Sequence, residues 1–356
     1  MYLRNDVTAG LNRKTYPIRS FAGIDALTDE SSLPLTYCRY GYNIAFKNGT
    51  LVSGIGINEA KIEGINVPAS PEEGAYITNC WIYTKPGPNN QSDYRLMVAL
   101  SSGRLYQKPL YGEGELTFTG AYWGGKCVCM NYKMRGVDVF LVFLETGGMY
   151  IYDGEIAEYV IDAPWLNSAC LHYGKIYATQ YMRNRVVFGS PEFNIDFDFS
   201  PDNGGGYIEF SGEGGTVRKV ISFNDHLFIF RDKAIHRLTA YTDFTEFRLI
   251  DVYCSNCRIF PDTITICGNR IIFLAEDGLY TFDGYTARKI YSQVTELIEN
   301  KSFAAACWYG HKYYLAAKLK TDAKTVGAES IAAKNNGIII FDFDLDNIAV
   351  FRGADI

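Results

Sequence analysis

The side chains of this chain that could do chemistry are its clustered carboxylates, four histidines and nine cysteines. The densest acidic run is D-F-D-L-D-N, which places Asp342, Asp344 and Asp346 at alternate positions. Alternating oxygen ligands open a calcium loop, which then needs glycine at its sixth position and a bidentate glutamate at its twelfth. Here Asn347 occupies the glycine place and Gly353 the glutamate place, while Phe343 and Leu345 between the acids suggest a strand running into a turn. The three aspartates are therefore incomplete calcium candidates, and no metal site is assigned. A second run, F-N-I-D-F-D-F-S-P-D-N, carries Asp196, Asp198 and Asp202. Glycoside cleavage needs two carboxylates roughly 5 to 9 Å apart across a pocket, whereas the interleaved aromatics here predict a strand followed by a loop.

His172, His226 and His311 fall in hairpin turns, where half-exposed rings are expected, and His236 is the fourth histidine. Cys254 and Cys257 form the one C-x-x-C. It lacks the second ligand pair of a zinc site and the βαβ setting of a redox motif. Cys127 and Cys129 lie two apart and would share one side of a strand. All nine cysteines are expected as reduced thiols, mostly buried as small hydrophobes. The chain has no G-x-S-x-G, H-E-x-x-H, G-x-x-x-x-G-K-[ST] or S-x-D-x-G-x-T-W pattern. Neither a catalytic residue nor a cofactor is assigned, and the chain is expected not to be an enzyme.

The elements that hold these residues follow from composition and repetition. The 356 residues include 27 Tyr, 22 Phe and 4 Trp together with 34 Gly, a mixture suited to many short strands joined by tight turns. An apolar strand, a two-residue tip and a second strand recur in LHYGKIYAT, ISFNDHLFIF, ITICGNRIIF and CWYGHKYYLA, with a looser copy in NYKMRGVDVFLVF. A third strand follows, often closed by Asp-Gly as in GGMYIYDG and DGLYTFDG, and a fourth can be traced after most copies. The tips at Gly136, Gly174, Asp225, Asn269 and Gly310 are 38, 51, 44 and 41 residues apart. Four strands every 40 to 50 residues is the pattern of a propeller blade. The predicted fold is all-β, a β-propeller of about six four-stranded blades, with seven blades or a β-sandwich as alternatives. Residues 77–356 form the propeller, 1–36 an N-terminal arm, and 37–76 a hairpin that completes a blade or forms a collar. Inner strands such as VFLVFL and IIFLA are almost wholly apolar, as expected of strands covered on both faces. Helix is expected at Ser292 to Asn300, capped by Ser292, and Thr321 to Asn335 reads as a long exposed loop.

Net charge is −6 with a pI near 5.4, the wrong sign for extensive nucleic-acid binding. The longest apolar run, Phe303 to Tyr309, has seven residues, far short of the ~18 that span a bilayer. No membrane partner is expected, and synthesis is placed in a cytoplasm. Within residues 1–20, Arg4, Arg13, Lys14 and Arg19 against Asp6 alone make the start of the arm basic and suit it to docking on a neighbouring subunit.

The run formed by Phe21, Gly23, Ile24 and Asp25, then Asn43, Phe46, Asn48, Gly49, Thr50, Leu51, Gly54 and Gly56, resembles the start of bacteriophage β-propeller virion proteins of the neck and tail, of the packaged-DNA stabilisation or tail-hub type. SFNDHLFIFRDKAIHRLTA and IIFLAEDGLYTFDG are similar to later blades of that group. The resemblance implies a non-enzymatic structural component of a phage or prophage virion, made in the bacterial host cytoplasm. It would act as a rigid platform at the head–tail junction or in the tail. Its partners would be other virion proteins, such as neck, portal-proximal or tail subunits, and further copies forming a homo-oligomeric ring. The many tyrosines leave a second class open, a glycan-binding or glycan-hydrolysing propeller.

Overall fold

The computed structural model describes residues 20–47, 49–53, 61–62, 65–66, 71–86, 92–111, 114–189, 205–240, 244–320 and 334–352. The chain divides into two compact units, Ile57–Ile290 and Met1–Gly56 with Tyr291–Ile356, a division that cuts across the expected 77–356 range.

The Ile57–Ile290 unit contains five four-stranded antiparallel sheets, each a meander in chain order. Blade 1 comprises Ile77–Pro86, Ser92–Leu100, Arg104–Pro109 and Thr117–Tyr122. Blade 2 comprises Cys127–Met134, Val137–Leu144, Met149–Tyr152 and Ala157–Val160. Leu166–His172, Lys175–Gln180, Arg185–Phe188 and Gly206–Glu209 form blade 3. Blade 4 is built from Val217–Phe223, His226–Arg231, Ala234–Thr239 and Arg248–Cys254. Thr265–Cys267, Arg270–Ala275, Gly278–Phe282 and Ala287–Ile290 make blade 5. The other unit holds blade 6, of Ile298–Tyr309, Lys312–Leu319, Gly337–Asp342 and Asn347–Arg352. The protein is all-β and of the β-propeller class.

Blade 2 shows why the middle strands carry unbroken apolar runs. Side chains alternate across a strand, so Val139, Leu141 and Phe143 point to one face and pack with Leu166, Ile176, Ala178 and Val187 of blade 3. Phe140, Val142 and Leu144 point the other way, against Tyr83, Met97 and Leu105 of blade 1. The same interleaving joins blades 3 and 4 through Tyr177, Phe188, Leu227 and Ile229, and blades 4 and 5 through Phe228, Phe230, Phe273 and Phe282. Each fully covered Val, Leu or Phe contributes about 1.5–3 kcal/mol. The apolar runs are the second and third strands. First strands of neighbouring blades are joined by side chains: Asn131 donates to the Ile82 carbonyl and accepts from the Thr84 amide, and Ser168 Oγ accepts from the Val220 amide.

All five expected tips are two-residue hairpins, closed by the pairs Met134–Val137, His172–Lys175, Phe223–His226, Cys267–Arg270 and Tyr309–Lys312. In four of them both loop residues have positive φ, as at Tyr173 (45°) and Gly174 (75°). That is the turn whose twist matches the flanking strands.

The N-terminal hairpin neither completes a blade nor starts a seventh. Ile44–Lys47 and Thr50–Ser53 extend blade 6 into a six-stranded sheet, in which Ile44 pairs with Val350. Asn43, at φ 58°, supports this junction by accepting the Arg352 amide on its side chain and donating its own amide to the Val350 carbonyl. The described part of the expected arm is packed: Gly23–Ile24 runs parallel to Tyr37–Cys38, and Ile24 and Ala26 are buried.

The expected helix at Ser292–Asn300 is corrected. Ser292–Leu297 is a 3-10 turn with no side-chain cap, entered through Tyr291 in the left-handed region, and Ile298 already begins a strand. Val294 and Leu297, three apart, are both buried, a spacing that one 3-10 turn satisfies. Of the expected Thr321–Asn335 loop only Lys334 and Asn335 are described, and Asn335 is buried, donating to the Phe303 carbonyl.

Candidate functional site

Asp342, Asp344 and Asp346 sit in the hairpin between the third and fourth strands of blade 6 and turn toward different partners. Asp342 Oδ1 accepts the amides of Asp344 (3.1 Å) and Leu345 (3.0 Å), while Oδ2 lies 2.8 Å from Lys312 Nζ. Burial is the largest influence on this carboxyl and acts to raise its pKa, but Lys312 and the turn amides outweigh it and hold the pKa below the ordinary carboxylate value. Asp344 faces His311 at 3.7 Å, and Asp346 accepts from the Tyr291 hydroxyl at 2.9 Å. The carboxylate of Asp342 thus holds a structural turn, and among the described residues no three acidic, histidine or cysteine side chains are grouped to hold a metal.

The same turn recurs in other blades. Asp153 Oδ1 accepts from Glu155 and Ile156, and Asp283 Oδ1 accepts from Tyr285 and Thr286, each within 3 Å. These amides lower both pKa values. Gly154 and Gly284 follow at φ 102° and 99°, which explains the repeated Asp-Gly.

The histidines separate by blade. His172 is buried, correcting its expected half-exposure: it ends a strand, and the turn falls on Tyr173 and Gly174. Its Nδ1 lies 2.8 Å from Ser222 Oγ, and burial pushes its pKa down. A nucleophilic serine site would orient the ring through a third side chain, whereas beyond Ser222 the polar group acting on His172 is the Ala240 backbone. His226 is half-buried and His311 exposed.

His236, also buried, belongs to a network with no sequence signature. Its Nδ1 lies 2.6 Å from Asp251, and its Nε2 3.5 Å from Arg231 Nη1. Arg231 donates to the carbonyls of Ser211, Gly212 and Gly215. Asn184 adds a second tie, accepting the Val217 amide and donating to the Phe210 and Gly215 carbonyls. Lys219 Nζ likewise donates to the carbonyls of Pro261 and Ile264. The one hint in the sequence is the glycine-rich S-G-E-G-G at 211–215, since a Cβ on Gly214 would lie 2.7 Å from Arg231 Nη1.

All nine cysteines are free thiols. Cys267 alone is buried, and Cys80, Cys254 and Cys307 are exposed, so the expectation of mostly buried cysteines is corrected. Cys127 and Cys129 share a side, with their sulfurs 4.0 Å apart. Arg4, Arg13, Lys14 and Arg19, like Asp196, Asp198 and Asp202, lie outside the described residues.

Among the described residues, three features are open to a partner or ligand. In the Ile57–Ile290 unit the fourth strands expose large apolar side chains: Phe118 and Tyr122, Tyr159, Tyr207, then Leu249 and Ile250. Arg104 and Arg185 sit over the Phe118 and Tyr207 rings at 5.7 and 4.7 Å. On blade 2 an apolar cleft of about 380 Å³ is lined by Met134, Val137, Val139, Ile151 and Ile156, and Ile156 is 70% exposed. In the other unit a smaller cavity carries Arg39, Glu296 and Lys320.

No family model and no curated protein matches the chain. Among solved structures it is similar to Raptor from Chaetomium thermophilum, with 11% identity over 69% of this chain and a TM-score of 0.45. The match spans only 23% of the Raptor chain. Virginiamycin B lyase from Staphylococcus aureus is 11% identical over 78% of this chain and 88% of its own, with a TM-score of 0.42. YCF48 from Cyanidioschyzon merolae is 12% identical over 63% and 77%, with a TM-score of 0.43. Likenesses at these scores carry no inference about what this chain does.

Proposed function

We propose that this protein is a non-enzymatic structural component of a phage or prophage virion, a docking platform at the head–tail junction or in the tail. Other virion subunits seat on it, and copies of it assemble into a ring. The virion assignment rests on the sequence resemblance. The platform role is supported by the row of exposed apolar side chains on the fourth strands of blades 1 to 4. A half-buried strand turns polar groups to water, so large apolar side chains left exposed on successive fourth strands favour a binding role. The blades beneath are stiffened by interleaved cores and by the Arg231 and Asn184 ties, so the surface is presented on a rigid body.

The test is assembly. Ile156→Asp with Tyr207→Asp alters only exposed positions and should leave folding intact. In sedimentation velocity and in virion reconstitution it should reduce association at least about tenfold, because each change places a charge in an apolar contact. Unchanged association would sink the platform reading. Saturable binding or turnover on a glycan array would favour the carbohydrate class instead.

A further inference from the structure

The cavity in the unit formed by Met1–Gly56 and Tyr291–Ile356 has a volume of about 260 Å³ and an unusual balance of charge. Ala26, Leu27 and Leu297 give it apolar lining, and Tyr40 and Tyr42 give it aromatic lining. Its charged residues are Arg39, Lys320 and Glu296. Glu296 is already paired with Lys320 at 3.2 Å, so those two charges offset each other. Arg39 is engaged by Tyr40 and attracted by Asp25, Asp29 and Glu30, but its ion pair among the described residues, to Glu30 at 4.0 Å, involves a side chain that is 81% exposed, where solvent screens such a pair. Arg39 Nε is buried without a hydrogen-bond partner among the described residues.

A second guanidinium adjoins the same wall. Arg352 is 4% exposed and stacks on Tyr42, its central carbon 4.0 Å from the ring centroid. Its Nη2 donates to the Lys320 carbonyl. Arg352 Nε and Nη1 are buried with no partner, and it has no ion pair among the described residues. Buried cations normally sit beside a counter-charge and have their donors met. Here one guanidinium lines the cavity and a second lies behind its Tyr42 and Lys320 wall, and among the described residues its one lining carboxylate is already paired. The arrangement calls for an anion.

We propose that this cavity binds a small phosphate monoester, with the dianionic phosphate held by Arg39 and attracted by the field of Arg352, and the organic group against Tyr40, Leu27 and Leu297. Arg39, whose ion pair is screened by solvent, and Arg352, with no ion pair among the described residues, together match a dianion better than a singly charged carboxylate. Arg presents a planar fork of donors suited to phosphate oxygens. The aromatic and aliphatic lining explains why an ester should bind better than the bare ion.

Isothermal titration of the full chain with inorganic phosphate, phenyl phosphate and benzoate tests the assignment. Phenyl phosphate should saturate one site per chain, bind more tightly than inorganic phosphate, and exceed benzoate by at least about tenfold. Arg39→Leu should weaken phenyl phosphate by at least about tenfold, and Arg39→Lys should recover part of the loss. Lys320→Gln should matter less, since Lys320 is already paired. Tyr40, 48% exposed, offers a variant that spares the core. Tyr40→Ala should weaken phenyl phosphate more than inorganic phosphate. Absence of saturable binding, unchanged binding in Arg39→Leu, or benzoate as tight as phenyl phosphate would each overturn the proposal.

Discussion

Arg231 and Arg352 are both 4% exposed, one in each unit, and their surroundings differ completely. Arg231 directs its guanidinium to three loop carbonyls and His236, and none of its nitrogens is left without a partner. Arg352 makes one hydrogen bond and one ring contact, with two nitrogens unmet among the described residues. A buried arginine whose donors all reach backbone acts as a staple. One left with free donors beside a cavity is poised for a ligand. The same side chain, equally buried, thus serves rigidity in one unit and binding in the other.

The largest expected effect comes from removing each guanidinium. Arg231→Met strands carbonyls that have no water to turn to, and should cost about 3 kcal/mol in urea unfolding. Arg352→Met removes a desolvated charge with few compensating bonds, and should stay within about 1 kcal/mol of wild type. Equal losses would erase the contrast.

Acid should separate the units next. Burial pushes the pKa values of His172, His226 and His236 down, and all three lie in the Ile57–Ile290 unit. Around His236, Asp251 opposes the shift and Arg231 reinforces it. A histidine whose folded pKa lies below its unfolded value of about 6.5 contributes stability that is complete above that pH. That stability is lost as pH falls through the folded value. In the other unit the depressed carboxyls among the described residues are those of Asp25 and Asp342. The Asp342 contribution is complete above about pH 3.9 and declines only below it. Hydrogen-exchange protection, corrected for the intrinsic rate at each pH, should therefore fall between pH 7.5 and 5.5 in blades 3 and 4 and not in blade 6. His236→Gln should flatten that response.

The smallest effect concerns a turn. Blades 3 and 6 use the same two-residue hairpin, but its first residue is Tyr173 at φ 45° in one and Gly310 at φ 54° in the other. Tyr173→Asn should stabilise by about 0.5–1 kcal/mol, because asparagine tolerates the left-handed region. Gly310→Tyr should cost a similar amount. Thermal melts of the two variants measure both signs.

Much of the blade architecture was legible because its constraints are local. A two-residue loop with positive φ demands Gly, Asn or Asp at a fixed place, and a strand covered on both faces needs an unbroken apolar run such as Val139 to Leu144. The misreadings arose where two local solutions share one pattern. Val294 and Leu297, three apart, suit a 3-10 turn as well as an α-helix. His172 lies one residue before the turn, and that single step moves its ring from surface to interior. The cavity was invisible in the sequence because Arg39 and Tyr42 come from one end of the chain and Lys320 and Arg352 from the other. Arg231 escaped notice for a related reason, since its partners are backbone carbonyls that any sequence could supply.

The most direct measurement of the proposed virion role is quantitative mass spectrometry of purified, nuclease-treated particles released by cells that carry the gene. A structural role predicts the protein in the particles at a fixed small number of copies relative to the portal, retained after high-salt washing. Its absence from particles that are otherwise complete and infectious would contradict the platform role.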